Sequence, residues 1–451
     1  MVLSLTRALF LTAMLAALPV AAQEATLQKQ LAAEQAARQA SNPEEVADSA
    51  RKLAAVALLH MAQLRQAERA WPQAAVLYQH SLALDSSTEA GAGLTEAQSH
   101  LPGGTDLASV DPTAPAGDIP VAAAEKASLQ AREQKLRAIL ASAFTDWGTA
   151  EARQQLYPQA VERFHEAEKW DAATPGLMSD LGNAAFRMGD YAESARALEL
   201  EVLANPKDQT SQLLLGVSQF SLGNYDAAAS AFEPVGTLAM QDPRAASAWA
   251  YSLARTKHQE QANRIADKLT AESLQPKELM LVCQIYNVTE DYEQAAQCFR
   301  KVGAEDPSIP HTHYLVGAAL LRLDRPNDAI PELREELKIA PGNPDAEYYL
   351  AYALLETSHR QEAEALLRQV VSEAPGHAQA QYQLGKTMLE DGDASGAITH
   401  LEAAVRFDPE ADYMHYQLQT AYRRAGRTGD ADRELAVYRK LKAQHRAPAP
   451  H

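Results

Sequence analysis

The sequence predicts an all-α solenoid built from 34-residue helix–turn–helix units, and three observations predict it. A column of small residues recurs at one phase: Gly148, Gly182, Gly216, Ala250, Cys283, Gly317, Ala351 and Gly385, with Gln419 as the large exception. The spacing is 34 throughout, apart from a single 33 before Cys283. Twelve residues after each member stands a second small residue, from Ala160, Ser194 and Ala228 to Ala397 and Ala431. One residue before each stands a large apolar one, from Trp147 and Leu181 to Leu384 and Leu418. A period of this length means stacked supersecondary units, not the roughly three globular domains that a chain of 451 residues would otherwise suggest.

Taken in order, the chain begins with a targeting segment. Arg7 is a positive n-region, Ala8 to Leu18 an apolar h-region, and Val20-Ala21-Ala22 before Gln23 a small-residue cleavage site. Residues 1–22 read as a cleaved signal peptide; the alternative is an uncleaved N-terminal anchor, against which Pro19 and the small residues argue. No second run of 18 apolar residues occurs, so the expectation is an exported, periplasmic or secreted chain with no integral membrane span after signal cleavage.

Residues 23–54, rich in Ala, Gln and Glu, read as N-terminal helices. A first repeat unit is expected at 55–88, where Leu58, Met61, Ala62, Ala74, Tyr78 and Asp85 keep the 12-residue gap between small positions. Residues 89–140 read as a degenerate unit whose turn carries an inserted mobile loop at 102–120, crowded with Pro102, Gly103, Gly104, Pro112, Pro115, Gly117 and Pro120; a linker is the alternative. Nine contiguous units are expected over 141–445, and a disordered tail over 446–451.

Within a unit, apolar residues at helical spacing such as Phe144, Trp147 and Gly148, then Ala160, Phe164 and Ala167, put one apolar stripe on each of two helices. Small residues at facing positions let the axes approach while the large neighbours fill the gap. Pro206, Pro307, Pro341, Pro375 and Pro409 fall at one phase and end the second helix, because a ring without an N–H cannot continue it. Gly189-Asp190-Tyr191 and Gly223-Asn224-Tyr225 mark the turn between helices.

Leu181-Gly182, Gly189, Tyr191, Ser194, Leu198 and Pro206 together resemble the tetratricopeptide repeat, with Ser194 for the usual Ala and Glu201 departing at the second Ala. The resemblance implies a right-handed superhelical solenoid whose first helices line a concave groove that takes a protein or peptide. The carboxylate clamp of chaperone adaptors is not reproduced: Asn183 fits, but Ser179 stands where that clamp has lysine. The unit around Trp249 and Ala262 matches least, lacking both the glycine turn and the proline.

The groove face is aromatic. Tyr314, Tyr348, Tyr382 and Tyr416 recur every 34 residues, joined by Phe186, Phe220, Tyr251, Tyr352 and Tyr413. Arg187, Arg322 and Arg423 punctuate it, with Arg153, Arg255, Lys386 and Arg424. Either these tyrosines pack between neighbouring repeats or they form a binding stripe of the Tyr and Arg type that dominates interaction hot spots. Partner-binding residues are expected at Phe186, Arg187, Phe220, Tyr251, Tyr314, Arg322, Tyr348, Tyr352, Tyr382, Tyr416 and Arg423.

Other chemistries find no foothold. With 41 basic and 59 acidic residues the formal charge is −18, which disfavours nucleic acid as a partner. No nucleotide-binding, zinc-protease or nucleophile-elbow motif occurs, so no catalytic residue, cofactor or metal is expected. His311 and His313, two apart on a helix, point away from each other. Cys283 and Cys298 sit on the two helices of one unit, either as two buried thiols or as an intra-repeat bridge. The expected function is a non-enzymatic exported scaffold for a protein or peptide segment, in cell-envelope, secretion or polymer-export assembly by resemblance to exported bacterial repeat proteins. The alternative is a polysaccharide-binding module, in which tyrosines stack on sugar faces.

Overall fold

A computed structural model of the chain describes residues 20–115 and 123–446. All regular structure among the described residues is helical. The expected signal peptide lies outside the described residues as far as residue 19, and the expected tail from residue 447 onward. The chain divides into two compact units, Met1–Leu238 and Ala239–His451.

The first unit runs α1 (Val20–Ala40), α2 (Pro43–Ala67), α3 (Trp71–Leu84), α4 (Thr88–Ser99), α5 (Ala123–Arg153), α6 (Tyr157–Trp170), α7 (Leu177–Met188), α8 (Tyr191–Ala204), α9 (Gln209–Ser221) and α10 (Tyr225–Phe232). The repeat expected to start at 55 starts instead at Pro43. Asn42 caps that helix by accepting the Glu44 amide, and Pro43 takes the first helical position, where a missing N–H costs nothing. A larger departure concerns residues 89–140. No separate second helix closes that stretch; α5 is one 31-residue helix running through the expected boundary at 141. Its N-terminal part packs on α2 and its C-terminal part pairs with α6, so it serves two hairpins at once.

The insertion itself is folded where it is described. Asp106 caps a 3-10 turn, Leu107–Ser109, by accepting the Ala108 amide at 3.0 Å. Leu107 packs against the core of the unit, and Arg137 of α5 donates to the Thr113 carbonyl.

After α10, Pro234 cuts this helix, the second of its pair, to eight residues, and a 3-10 turn (Glu233–Val235) and a one-turn helix, α11 (Gly236–Ala239), follow. The second unit is six helical pairs: α12 (Pro243–Arg255) with α13 (Gln259–Thr270), α14 (Pro276–Val288) with α15 (Tyr292–Glu305), α16 (Thr312–Arg322) with α17 (Pro326–Ile339), α18 (Pro344–Glu356) with α19 (Arg360–Glu373), α20 (Ala378–Glu390) with α21 (Ala394–Phe407), and α22 (Asp412–Arg424) with α23 (Thr428–Arg446).

The small-residue column is where helices of a pair meet. A Cβ added at Gly182 would lie 2.5 Å from Leu198 Cγ, and one at Gly317 2.6 Å from Leu333 Cγ, so a large residue sixteen positions on occupies the space a side chain would need. Each proline at 206, 307, 341, 375 and 409 stands two residues beyond the last residue of a second helix. The turn between paired helices holds one left-handed residue in every pair from α5/α6 onward: Gln155, Gly189, Gly223, Lys257, Glu290, Asp324, Ser358, Gly392 and Gly426. Five of the nine are not glycine, so the turn is imposed by the packing of the pair even where the residue resists it. Lys257 explains how the weakest-matching unit keeps the same hairpin without a glycine.

Cys283 and Cys298 are both buried and disulfide-bonded, with Cα atoms 5.3 Å apart, so the reading as two free thiols is corrected in favour of the intra-repeat bridge. The two positions face each other across α14 and α15.

Candidate functional site

In the second unit the first helices bring Tyr314, Tyr348 and Tyr382 into ring contact with aromatic residues of a neighbouring repeat. Tyr314 of α16 meets Tyr349 of α18 at 5.6 Å between ring centroids, and Tyr348 meets Tyr349 at 5.3 Å and His377 at 5.1 Å. Tyr382 of α20 meets Tyr413 of α22 at 5.0 Å in a near-perpendicular pair. Such contacts add about 0.5–1.5 kcal/mol each beyond burial.

These rings are graded in exposure. Tyr251, Tyr314, Tyr348, Tyr352 and Tyr382 are half-buried, whereas Tyr413 and Tyr416 are 44% and 50% exposed. Burial pushes the Tyr314 hydroxyl up to about 12, with Tyr349, Asp345 and Glu336 adding to it. Burial raises Tyr348 as well, helped by the phenols of Tyr349, Tyr413, Tyr352 and Tyr382 around it, so Tyr314 and Tyr348 remain neutral donors at physiological pH. The half-buried tyrosines are thus inter-repeat packing as well as surface, and the accessible end of the stripe is Tyr413 and Tyr416 on α22. Tyr416 leans on Tyr438 of α23 at 5.2 Å, and Lys442 lies 4.9 Å over that second ring.

The predicted cations separate. Arg423 and Arg187 are exposed. Arg322 is engaged with a second-helix residue of the preceding repeat: its Nε and Nη2 donate to Tyr292 Oη at 3.2 and 3.0 Å, and its guanidinium sits 5.2 Å over that ring. Arg424 donates to the Leu389 carbonyl at 2.7 Å and ties neighbouring repeats together. In the first unit Phe186 turns its edge to Tyr191 and Phe220 to Tyr225, each at the start of its own second helix.

Sequence reasoning missed Tyr349, Tyr438, Tyr292 and His377. Tyr349 lies one residue off the 34-residue column, and Tyr438 and Tyr292 are on second helices, which the search for a first-helix stripe did not include. An aromatic count over both helices would have found the three tyrosines; His377 precedes its helix as the N-cap.

The doubted chemistries resolve in geometry. His311 and His313 each bind a different carboxylate, Glu336 and Glu332, at 2.9 Å from Nδ1. Ser179, standing where a clamp would need lysine, lies 3.2 Å from Ser211 of the next repeat. Among the described residues no group of three or more His, Cys, Asp and Glu side chains comes together as a metal site, and no helix is long and apolar enough to cross a membrane.

Comparison with known proteins bears on this architecture. A tetratricopeptide-repeat family model matches residues 179–234 and 289–344, and a second one matches 320–386. The model of a bacterial transcriptional activator domain matches 376–447. No curated protein matches the chain. Among solved structures the chain is similar to a crystal structure of MamA at 21% identity, covering 36% of this chain and 95% of that one with a TM-score of 0.32. MamA from Desulfovibrio magneticus RS-1 is similar at 24% identity, covering 38% and 98%, with a TM-score of 0.34. YrrB, described as a TPR protein with an unusual peptide-binding site, is similar at 23% identity, covering 42% and 97%, with a TM-score of 0.32. The 34-residue column, the paired helices it builds and the matched family models agree that the chain carries tetratricopeptide repeats.

Proposed function

We propose that the protein is a non-catalytic scaffold that holds a protein or peptide segment against the first-helix face of its second unit. The observation that carries this reading is the graded stripe: half-buried tyrosines stiffen a surface whose accessible end, Tyr413 and Tyr416, presents two amphipathic rings on the helix that also carries the exposed Arg423. Rings of this kind, with few rotatable bonds, supply contact area at low entropic cost. Selection from a peptide-display library on the full chain should enrich binders. Tyr413→Ala with Tyr416→Ala should weaken them tenfold or more, about 1.4 kcal/mol, with helical circular dichroism unchanged. Enriched peptides that bind the double variant as well as the parent would sink this placement of the site. Loss of soluble-glycan binding in the same variant, with no peptide enriched, would favour sugar stacking instead.

The export reading, and with it a place in envelope, secretion or polymer-export assembly, rests on Arg7, the apolar run and Val20-Ala21-Ala22. Mass spectrometry of the protein from an exported fraction should show a chain beginning at Gln23. An intact Met1 in a membrane pellet would refute it.

A further inference from the structure

The first unit contains an open cavity of about 770 Å³, a volume in the range of small-molecule sites. Its floor is apolar and comes from four helices: Leu58 of α2, Val76 of α3, Phe144 of α5 and Trp170 of α6, all buried. The inserted segment adds Leu107 and Val110 as a further apolar wall. That wall is fixed on its own terms. Asp111 accepts from the Thr113 amide and hydroxyl at 2.8 and 2.7 Å, and Arg137 holds the Thr113 carbonyl while lying 5.9 Å over the Trp170 ring.

The polar rim is unevenly satisfied. Glu166 is paired with Lys169 at 2.6 Å, and Asp111 is held by Thr113, which keeps its carboxyl below the usual range. Arg163 is different. Its guanidinium lies 4.4 Å over the Trp147 ring, its carboxylate contacts are long, 3.5 Å to Glu162 and 3.8 Å to Glu151, and its Nε makes no hydrogen bond among the described residues. An apolar chamber with a guanidinium at its edge whose carboxylate contacts are all long is complementary to a monoanion with an apolar body.

We propose that this cavity binds a fatty-acid-type ligand, with the acyl chain against Leu58, Val76, Phe144 and Trp170 and the carboxylate at Arg163. The site lies in the first unit, so it is independent of the tyrosine stripe and can fail or hold separately from it.

Titration of the full chain with dodecanoate below its micelle concentration, followed by calorimetry and tryptophan fluorescence, tests the proposal. Saturable one-site binding is expected. Ala108→Trp and Ala83→Phe start from exposed alanines that line the cavity, and each should weaken binding at least tenfold by filling it. Two fillers guard against one of them disturbing the fold, which a thermal melt would reveal. Arg163→Gln should weaken dodecanoate at least tenfold but neutral dodecanol less than twofold. Absence of saturable binding, or binding indifferent to both fillers, would overturn the site. Equal losses for acid and alcohol in Arg163→Gln would overturn the assignment of the head group.

Discussion

Arg65→Ala is expected to destabilise the first unit by about 3–5 kcal/mol, the cost of leaving buried carboxylates without their cation. Arg65 of α2 is fully buried. Its Nη1 and Nη2 grip Glu133 of α5 at 3.2 and 2.6 Å, and Nη1 also reaches Glu68 at 2.7 Å. Arg137 adds a further bond to Glu133 at 2.9 Å. Burial alone would raise the Glu133 carboxyl, but the hydrogen bonds from Arg65 and Arg137 override it and hold it below the usual value of 4.5. A carboxyl depressed on folding stabilises at every pH above its unfolded value, and that contribution disappears as pH falls through the lower, folded one. Denaturant melts should therefore show the parent losing stability below about pH 4.5, while Arg65→Ala is already weak at pH 7 and recovers part of the difference in acid, where Glu133 can protonate. A variant as stable as the parent at pH 7 would show that the α2–α5 contact does not depend on this cluster. Arg65→Met with Glu68→Leu and Glu133→Leu, which removes the cation together with both carboxylates it pairs, should cost much less than Arg65→Ala.

The second large effect belongs to the disulfide. Opening Cys283–Cys298 by Cys→Ser at both positions should cost about 3 kcal/mol in the chain-entropy account of a 15-residue loop. Thermal melts of the parent with and without a thiol reductant should differ in the same direction. Because both sulfurs sit in a packed contact, part of the loss would come from two hydroxyls placed in an apolar interior. A double variant melting with the parent would mean that the α14/α15 packing alone fixes the pair.

How far the sequence reaches is clear from particular residues. The hairpin and its phase were legible because every repeat solves one packing problem: a small residue such as Gly317 must face a large one such as Leu333, and the chain repeats that solution every 34 positions. The disulfide was not, since residue spacing does not say whether two Cβ atoms on adjacent helices point at each other. The hairpin turn was legible only at glycines. Gln155, Lys257, Glu290, Asp324 and Ser358 adopt the same left-handed geometry under tertiary constraint, with no signal in their side chains. The continuity of α5 was hidden for another reason: a strict period invites a boundary at 141, although residues 123 to 147 contain neither Pro nor Gly to make one. For the tyrosine stripe, the column at 314, 348, 382 and 416 was visible, but the division into supporting and accessible rings depends on neighbours such as Tyr349 and His377 that lie off the column.

The shared helix also limits how this chain can vary in length. Each residue added to an α-helix advances it 1.5 Å and turns it about 100°. One residue inserted between Glu133 and Gly148 would swing the face that meets Phe164 away from the face that meets Arg65, whereas four would nearly restore their phase. The helix thus works as a crankshaft between two hairpins, and insertions or deletions inherited by its relatives should accumulate in the neighbouring surface segment 100–115 and be filtered out of 133–148.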